Sequence, residues 1–246
     1  SDTWRRTDLL LHRDGAPITV GSRRFLDLRL PAVTDLLAAR VIGLLRDAGF
    51  GYLKVDCNET LGPGCDGAES PGEGLRRQVV GVQAFLARIR RELPDLVIEC
   101  CASGGMRLEP SFLGLAAMAS CTDAHEPREI PIIAANLQRL ILPRQSQVWA
   151  VLHAEDDDRR LAYSLAAGFL GRLCLSGDID RLSPRQWALV EAALALYRQA
   201  APTIDQGISR RFGGWDSGAA GSYRHAEGWQ VVRRLGDEAC LVVLHA

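Results

Sequence analysis

The sequence predicts an α/β fold of the (β/α)8 barrel type, incomplete, with about six strand–helix units, followed by the start of an antiparallel β domain. Three observations predict it. Short apolar, extended segments alternate with helix-length amphipathic segments along 1–202, the pattern of parallel strands joined by helical crossovers. Polar residues gather at the C-terminal ends of several of those strands, at Asp56, Cys101, Asp123 and Asp178, as on the active face of a barrel. No G-x-G-x-x-G follows the first strand, so nothing favours a dinucleotide-binding sheet.

The elements follow in order. Arg24–Leu28 is short, apolar and extended. Pro31 suits the first turn of a helix whose apolar positions Val33, Leu36, Leu37, Val41, Leu44 and Leu45 recur at three and four, until Asp47-Ala48-Gly49 ends it. Gly51–Asp56 is a strand that finishes in charge. After a Gly-rich stretch, a second amphipathic helix carries Val79, Val82, Phe85, Leu86 and Ile89 and stops at Pro94. Leu96–Cys101 is a continuous apolar strand, and Ser103-Gly104-Gly105 is the loop after it. Leu113–Met118 reads as a short helix, Ala119–Asp123 as a strand end, Ile130–Leu142 as a helix and Gln147–Leu152 as a strand. Asp156-Asp157-Asp158 supplies an acidic start for a helix over Leu161–Leu170. Leu173–Leu175 is the last strand, and Ser183-Pro184 caps a long helix through Tyr197. After Pro202 the texture changes. Glycines at 213, 214, 218 and 221 break the chain, and Gly228–Leu235 and Ala239–Leu244 read as strands joined by Gly236-Asp237-Glu238. The expected division is a barrel portion at 1–202 and a β domain beginning at 203–246.

Composition narrows the function classes. The 246 residues carry a net charge of −1, so no basic surplus drives binding to a phosphate backbone and a nucleic-acid partner is disfavoured. No apolar run reaches membrane-spanning length, and the first six residues contain no secretory core. Seven cysteines, two of them adjacent at Cys100 and Cys101, do not resemble a disulfide framework and point to a reducing, cytoplasmic setting. A homo-oligomer stays open.

One compositional detail is sharper. Of 29 basic residues, 28 are arginine; Lys54 alone is lysine, two residues before Asp56 on the same strand. In a strand those side chains share a face, and an ammonium beside a carboxylate keeps the acid ionised. Asp56 is therefore either a nucleophile at a barrel mouth or half of a structural ion pair. Asp123 is a second acid, or else a helix N-cap. The two glycines after Ser103 let backbone approach a ligand closely. Cys100 and Cys101 read as core packing or, with His125, as a nucleophile pair. A metal site is not indicated: no C-x-x-C occurs and the five histidines are scattered. Trp149, Trp215 and Trp229 are candidate sugar platforms or core residues.

Three segments together resemble glycoside hydrolase family 36, the microbial α-galactosidases. Tyr52–Glu59 (YLKVDCNE) looks like that family's K-W-D-x-N strand, Cys101–Glu109 (CASGGMRLE) its C-x-S-G-G-x-R-[FL]-[DE] loop, and Ser120–Glu126 (SCTDAHE) its S-D-x-x-[DE] segment, in the expected order and spacing. The resemblance covers roughly residues 26–201 and implies a retaining hydrolase on a (β/α)8 barrel, with a β-sandwich before it and a smaller β domain after it. It implies Asp56 as nucleophile after the fourth barrel strand and Asp123 as acid/base after the sixth. It further implies contacts to an α-galactoside oligosaccharide from Lys54, Asn58, Cys101, Ser103, Gly104, Arg107 and Glu126, with no metal or organic cofactor. The chain departs from the family pattern at Val55, Cys100, Glu59 and Thr122. A thiol at 100 replaces an amide donor in recognition of the sugar's 2-substituent. Galactosyl transfer, an α-N-acetylgalactosaminide substrate, or an inactive fragment that only binds carbohydrate therefore stand as alternatives to hydrolysis.

Overall fold

The computed structural model describes residues 6–213 and 229–245. The chain forms two compact units, Ser1–Ala102 with Pro110–Ala117, and Ser103–Glu109 with Met118–Ala246.

The first unit opens with two hairpins of two-residue strands, β1 (His12–Arg13) with β2 (Ala16–Pro17) and β3 (Thr19–Val20) with β4 (Arg23–Arg24). The expected strand at 24–28 is not a member of the parallel sheet. Its backbone runs antiparallel to the apolar segment Leu9-Leu10-Leu11: Leu11 N donates to Phe25 O, and Asp27 N to Leu9 O, both at 2.9 Å. The groups left over are taken by the buried Gln78 side chain, which accepts from Leu28 N at 2.9 Å and donates to Leu26 O at 3.0 Å. Burial of Leu9, Leu10 and Leu11 outweighs any strand pairing open to 24–28.

Pro31 starts α1 (Pro31–Leu37), which passes through a π turn at Ala38–Ile42 into α2 (Gly43–Asp47). The expected single helix is thus present with a wider turn inside it. Two parallel strands follow, β5 (Tyr52–Asp56) and β6 (Val97–Cys101), in register from Tyr52 opposite Val97 to Asp56 opposite Cys101. The crossover between them is α3 (Pro71–Glu92). Ser70 caps it by accepting from Glu73 N at 3.2 Å, Pro71 occupies its first turn, and Phe85, Leu86 and Ile89 are buried along one stripe. The short α4 (Pro110–Leu113) completes the unit; the helix expected over Leu113–Met118 overlaps it at Leu113 alone, and Met118 already belongs to the next strand.

The second unit holds three parallel strands, β7 (Met118–Ser120), β8 (Ser146–Leu152) and β9 (Arg172–Gly177), with β8 paired to both others. Their crossovers are α5 (Glu129–Leu137), α6 (Asp158–Ala167) and, after β9, α7 (Pro184–Gln206). Asp157 caps α6 by accepting from Arg160 N at 2.8 Å, as its acidic start predicts. Ser183 and Gln186 close a reciprocal capping box on α7. That helix continues nine residues beyond the expected end at Tyr197 and carries Pro202 in its interior. An antiparallel sheet follows, β10 (Ile208–Gly213), β11 (Trp229–Leu235) and β12 (Ala239–His245), in that order. Its inner face buries Trp229 and Val231 against α5, β8 and their neighbours. A separate cluster packs Leu161 and Leu165 of α6 with Val190 of α7 and Leu152 of β8.

The architecture is therefore parallel α/β followed by an antiparallel sheet, the class the alternation predicts, with five parallel strands among the described residues rather than six. The glycine breaks at 214, 218 and 221, with Trp215 and Gly228, lie outside the described residues.

Candidate active site

Asp56 is the last residue of β5 and is exposed. The strand alternates, so Tyr52, Lys54 and Asp56 share the exposed face while Leu53 and Val55 turn inward. Asn58 lies just past the strand end with its amide Nδ2 3.4 Å from Asp56 Oδ2, donating to the carboxylate. Cys57 N donates to Cys101 O at 3.2 Å, which extends the β5–β6 ladder one residue beyond the strand and fixes where Asp56 leaves it.

Lys54 has a partner that sequence reasoning missed. Its Nζ lies 3.2 Å from Oε1 of Glu99, the residue directly opposite it on β6. The Glu99 side chain is 2% exposed and that of Lys54 37%. The i, i+2 spacing on one strand face suggests Asp56 as the partner; the cross-strand register, invisible in the sequence, supplies Glu99.

Cys100 and Cys101 are both buried, at 3% and 1% exposure, in keeping with core packing. Among the described residues all seven cysteines are free.

In the second unit, Asp123 follows β7 by three residues and is exposed. It caps no helix, since α5 begins at Glu129 after Arg128. Instead it sits in a tight connection. Thr122 Oγ1 accepts from Ala124 N at 3.0 Å, and the His125 ring nitrogen Nδ1 lies 2.9 Å from Asp123 O. The His125 ring meets Trp149 edge-on with centroids 5.4 Å apart. Glu126 is exposed, and its carbonyl accepts from Glu129 N at 3.1 Å, starting α5.

The glycine loop packs directly on this connection. Ser103 and Gly104 both have positive φ, at 43° and 73°. A Cβ on Gly104 would lie 2.6 Å from Asp123 N, and one on Gly105 2.6 Å from Cys121 O. The two glycines therefore allow backbone to touch backbone beneath Asp123, a role distinct from the ligand approach the sequence suggests. Arg107 is half-buried in the same loop. In the same connection, burial pushes the Cys121 thiol up to about 11.

Of the candidate sugar platforms, Trp229 is 2% exposed and stacks on His245 with centroids 5.3 Å apart, so it offers no open face. Trp149 is half-buried, packs on the core of its unit and donates Nε1–H to Gln147 at 3.0 Å. Trp215 lies outside the described residues. Farther along, Asp178 follows β9 and its Oδ2 is 3.0 Å from His153 Nδ1. With Glu155 these form a cluster whose ligand-type atoms lie within 4.8 Å of one another.

Comparison with known proteins covers all three motifs. The Melibiase family profile matches residues 3–207. The chain is similar to "Alpha-galactosidase 2" of Pediococcus pentosaceus, 27% identical over 230 residues, which cover 91% of this chain and 31% of that protein. Among solved structures it is similar in fold to the glycoside hydrolase family 36 α-galactosidase AgaA from Geobacillus stearothermophilus, with a TM-score of 0.81 and 18% identity over 99% of this chain and 34% of that one. A variant of AgaA in complex with raffinose matches with a TM-score of 0.78 and 17% identity, over 98% and 34% of the respective chains. The chain thus spans about a third of the length of these relatives.

Proposed function

The chain belongs to the Melibiase family, and from that premise we propose that it acts in an α-galactosidase that removes terminal α-galactosyl residues from oligosaccharides with retention of configuration. The observation that carries the reading is Asp56. It is an exposed carboxylate at the C-terminal end of a parallel strand, with an asparagine amide on one oxygen and the chain's only lysine on the same strand face.

In the proposed reaction an Asp56 oxygen attacks the anomeric carbon. The bond to the leaving oxygen breaks as Asp123 gives that oxygen its proton, leaving a galactosyl ester on Asp56. Water then attacks the anomeric carbon, loses a proton to Asp123 and releases Asp56. Lys54 and Asn58 hold sugar hydroxyls near Asp56, and Arg107, Ser103 and Gly104 set the loop beside Asp123. Glu126 completes the proposed substrate contacts, and Cys101, 1% exposed, backs the Asp56 strand end from the core. No step calls for a metal or organic cofactor. The names of the relatives support this substrate class, among them an AgaA variant solved in complex with raffinose. The seven free cysteines support a reducing, cytoplasmic setting, and no helix among the described residues is long and apolar enough to cross a membrane.

The test is the anomer first released. Proton NMR during hydrolysis of a nitrophenyl α-galactoside shows α-galactose appearing before mutarotation if the mechanism is retaining. Initial β-galactose contradicts it, and an absence of turnover contradicts the hydrolytic reading.

A further inference from the structure

We propose that Glu99 is the positioning residue for Lys54: its buried carboxylate fixes the ammonium on the Asp56 face of β5, so that Lys54 meets the sugar in one orientation. This rests on the reading of Lys54 as a sugar-binding residue.

Three observations carry it. The first is burial. An ionised carboxylate enters a protein interior only with a partner, and Glu99 is 2% exposed with Lys54 Nζ at 3.2 Å. The second is register. Glu99 stands opposite Lys54, and Cys101, two residues on, stands opposite Asp56. The pair is thus fixed by the same ladder that delivers Asp56 to the strand end. The third is side-chain chemistry. The other 28 basic residues are arginine. A guanidinium is a flat fork that docks a carboxylate two-handed, whereas an ammonium is compact and carries three tetrahedral donors. One donor can hold Glu99 while another reaches a sugar hydroxyl over Asp56. The Lys54 side chain is 37% exposed, against 2% for its anchor. A lysine tethered in this way surrenders rotamer freedom on folding rather than on substrate binding.

The test uses the full chain and three variants, Glu99→Gln, Lys54→Met and the double variant. Thermal melts establish that each is folded. On a nitrophenyl α-galactoside, Glu99→Gln is expected to lower kcat/KM by about 10²-fold, the cost of letting a positioning group wander by roughly 1 Å. In the Lys54→Met background the same Glu99 change is expected to cost nothing further, because its effect passes through Lys54. An additive loss in the double variant, or a single variant within twofold of wild type, overturns the proposal.

A second readout does not need turnover. Lys54 is the only lysine, so a sample labelled with 15N-lysine has one side-chain ammonium to observe. The signal is expected to be protected from water exchange in the wild type and lost in Glu99→Gln. No protected signal in the wild type overturns the anchoring directly. If the wild type shows protection but no galactoside hydrolysis, the anchoring stands and the α-galactosidase reading fails.

Discussion

Asp56 and Asp123 differ in what holds them. Asp56 takes an amide from Asn58 at 3.4 Å at the end of a regular strand, whereas Asp123 sits in an irregular connection shaped by Thr122 and His125. Loss of an acid/base group costs about 10²–10⁴-fold. Asp123→Asn is therefore expected to lower turnover of a galactoside with a poor leaving group by that range, and by much less with a nitrophenyl leaving group that needs no protonation. A steady-state comparison of the two substrates checks this. Cysteine chemistry gives an independent check at the same scale. Burial holds the Cys121 thiol at about 11, while Cys57 and Cys240 are exposed. At pH 8 iodoacetamide is expected to label Cys57 and Cys240 in the folded protein and to leave Cys121 unmodified until the protein is unfolded, read by peptide mass mapping.

Among the elements, the glycine loop makes the sharpest demand on sequence. Gly104→Ala sets a Cβ 2.6 Å from Asp123 N on a residue whose φ is 73°. Both effects push the Asp123 connection away. The substitution is expected to cost about 1–3 kcal/mol in stability and to lower kcat more than Asn58→Ala raises KM. Denaturant melts and steady-state kinetics check both halves. Removing the α7 cap with Ser183→Ala is expected to cost about 1 kcal/mol without touching kcat. The elements also show where sequence was legible. β5, β6, β8, the acidic start at Asp157 and the cap at Ser183 were readable because apolar runs and capping residues are local signals, whereas the Ser70 cap lay inside what reads as a Gly-rich stretch. The segment 24–28 was not, because its partners Leu9–Leu11 and Gln78 are contributed by distant positions. The reach of α7 to Gln206 was hidden by Pro202, which reads as a terminator but is tolerated inside this helix.

At the scale of the whole molecule, the first unit holds the strand with Lys54, Asp56 and Asn58, and the second holds the loop with Ser103, Gly104 and Arg107 packed on the Asp123 connection. The motifs announced these residues because their chemistry is written in consecutive positions. The partner of Lys54 and the floor under Asp123 were not announced, since both arise from register and backbone contact. Charge provides a global handle. Asp178 raises the pKa of His153, by hydrogen bonding first, with Asp156 and Glu155 adding their fields. A raised folded-state value means the bond stabilises fully below the ordinary histidine range, near pH 6.5, and the contribution fades as pH climbs through the raised value. Asp178→Asn is therefore expected to lower Tm more at pH 6 than at pH 8.5, a difference that salt reduces because the pair is partly solvated. The most direct measurement is covalent trapping with a 2-deoxy-2-fluoro-α-galactosyl fluoride followed by peptide mapping. One fluorogalactosyl adduct is expected, on Asp56 and absent from Asp56→Asn; an adduct on any other residue contradicts the assignment of Asp56 as nucleophile.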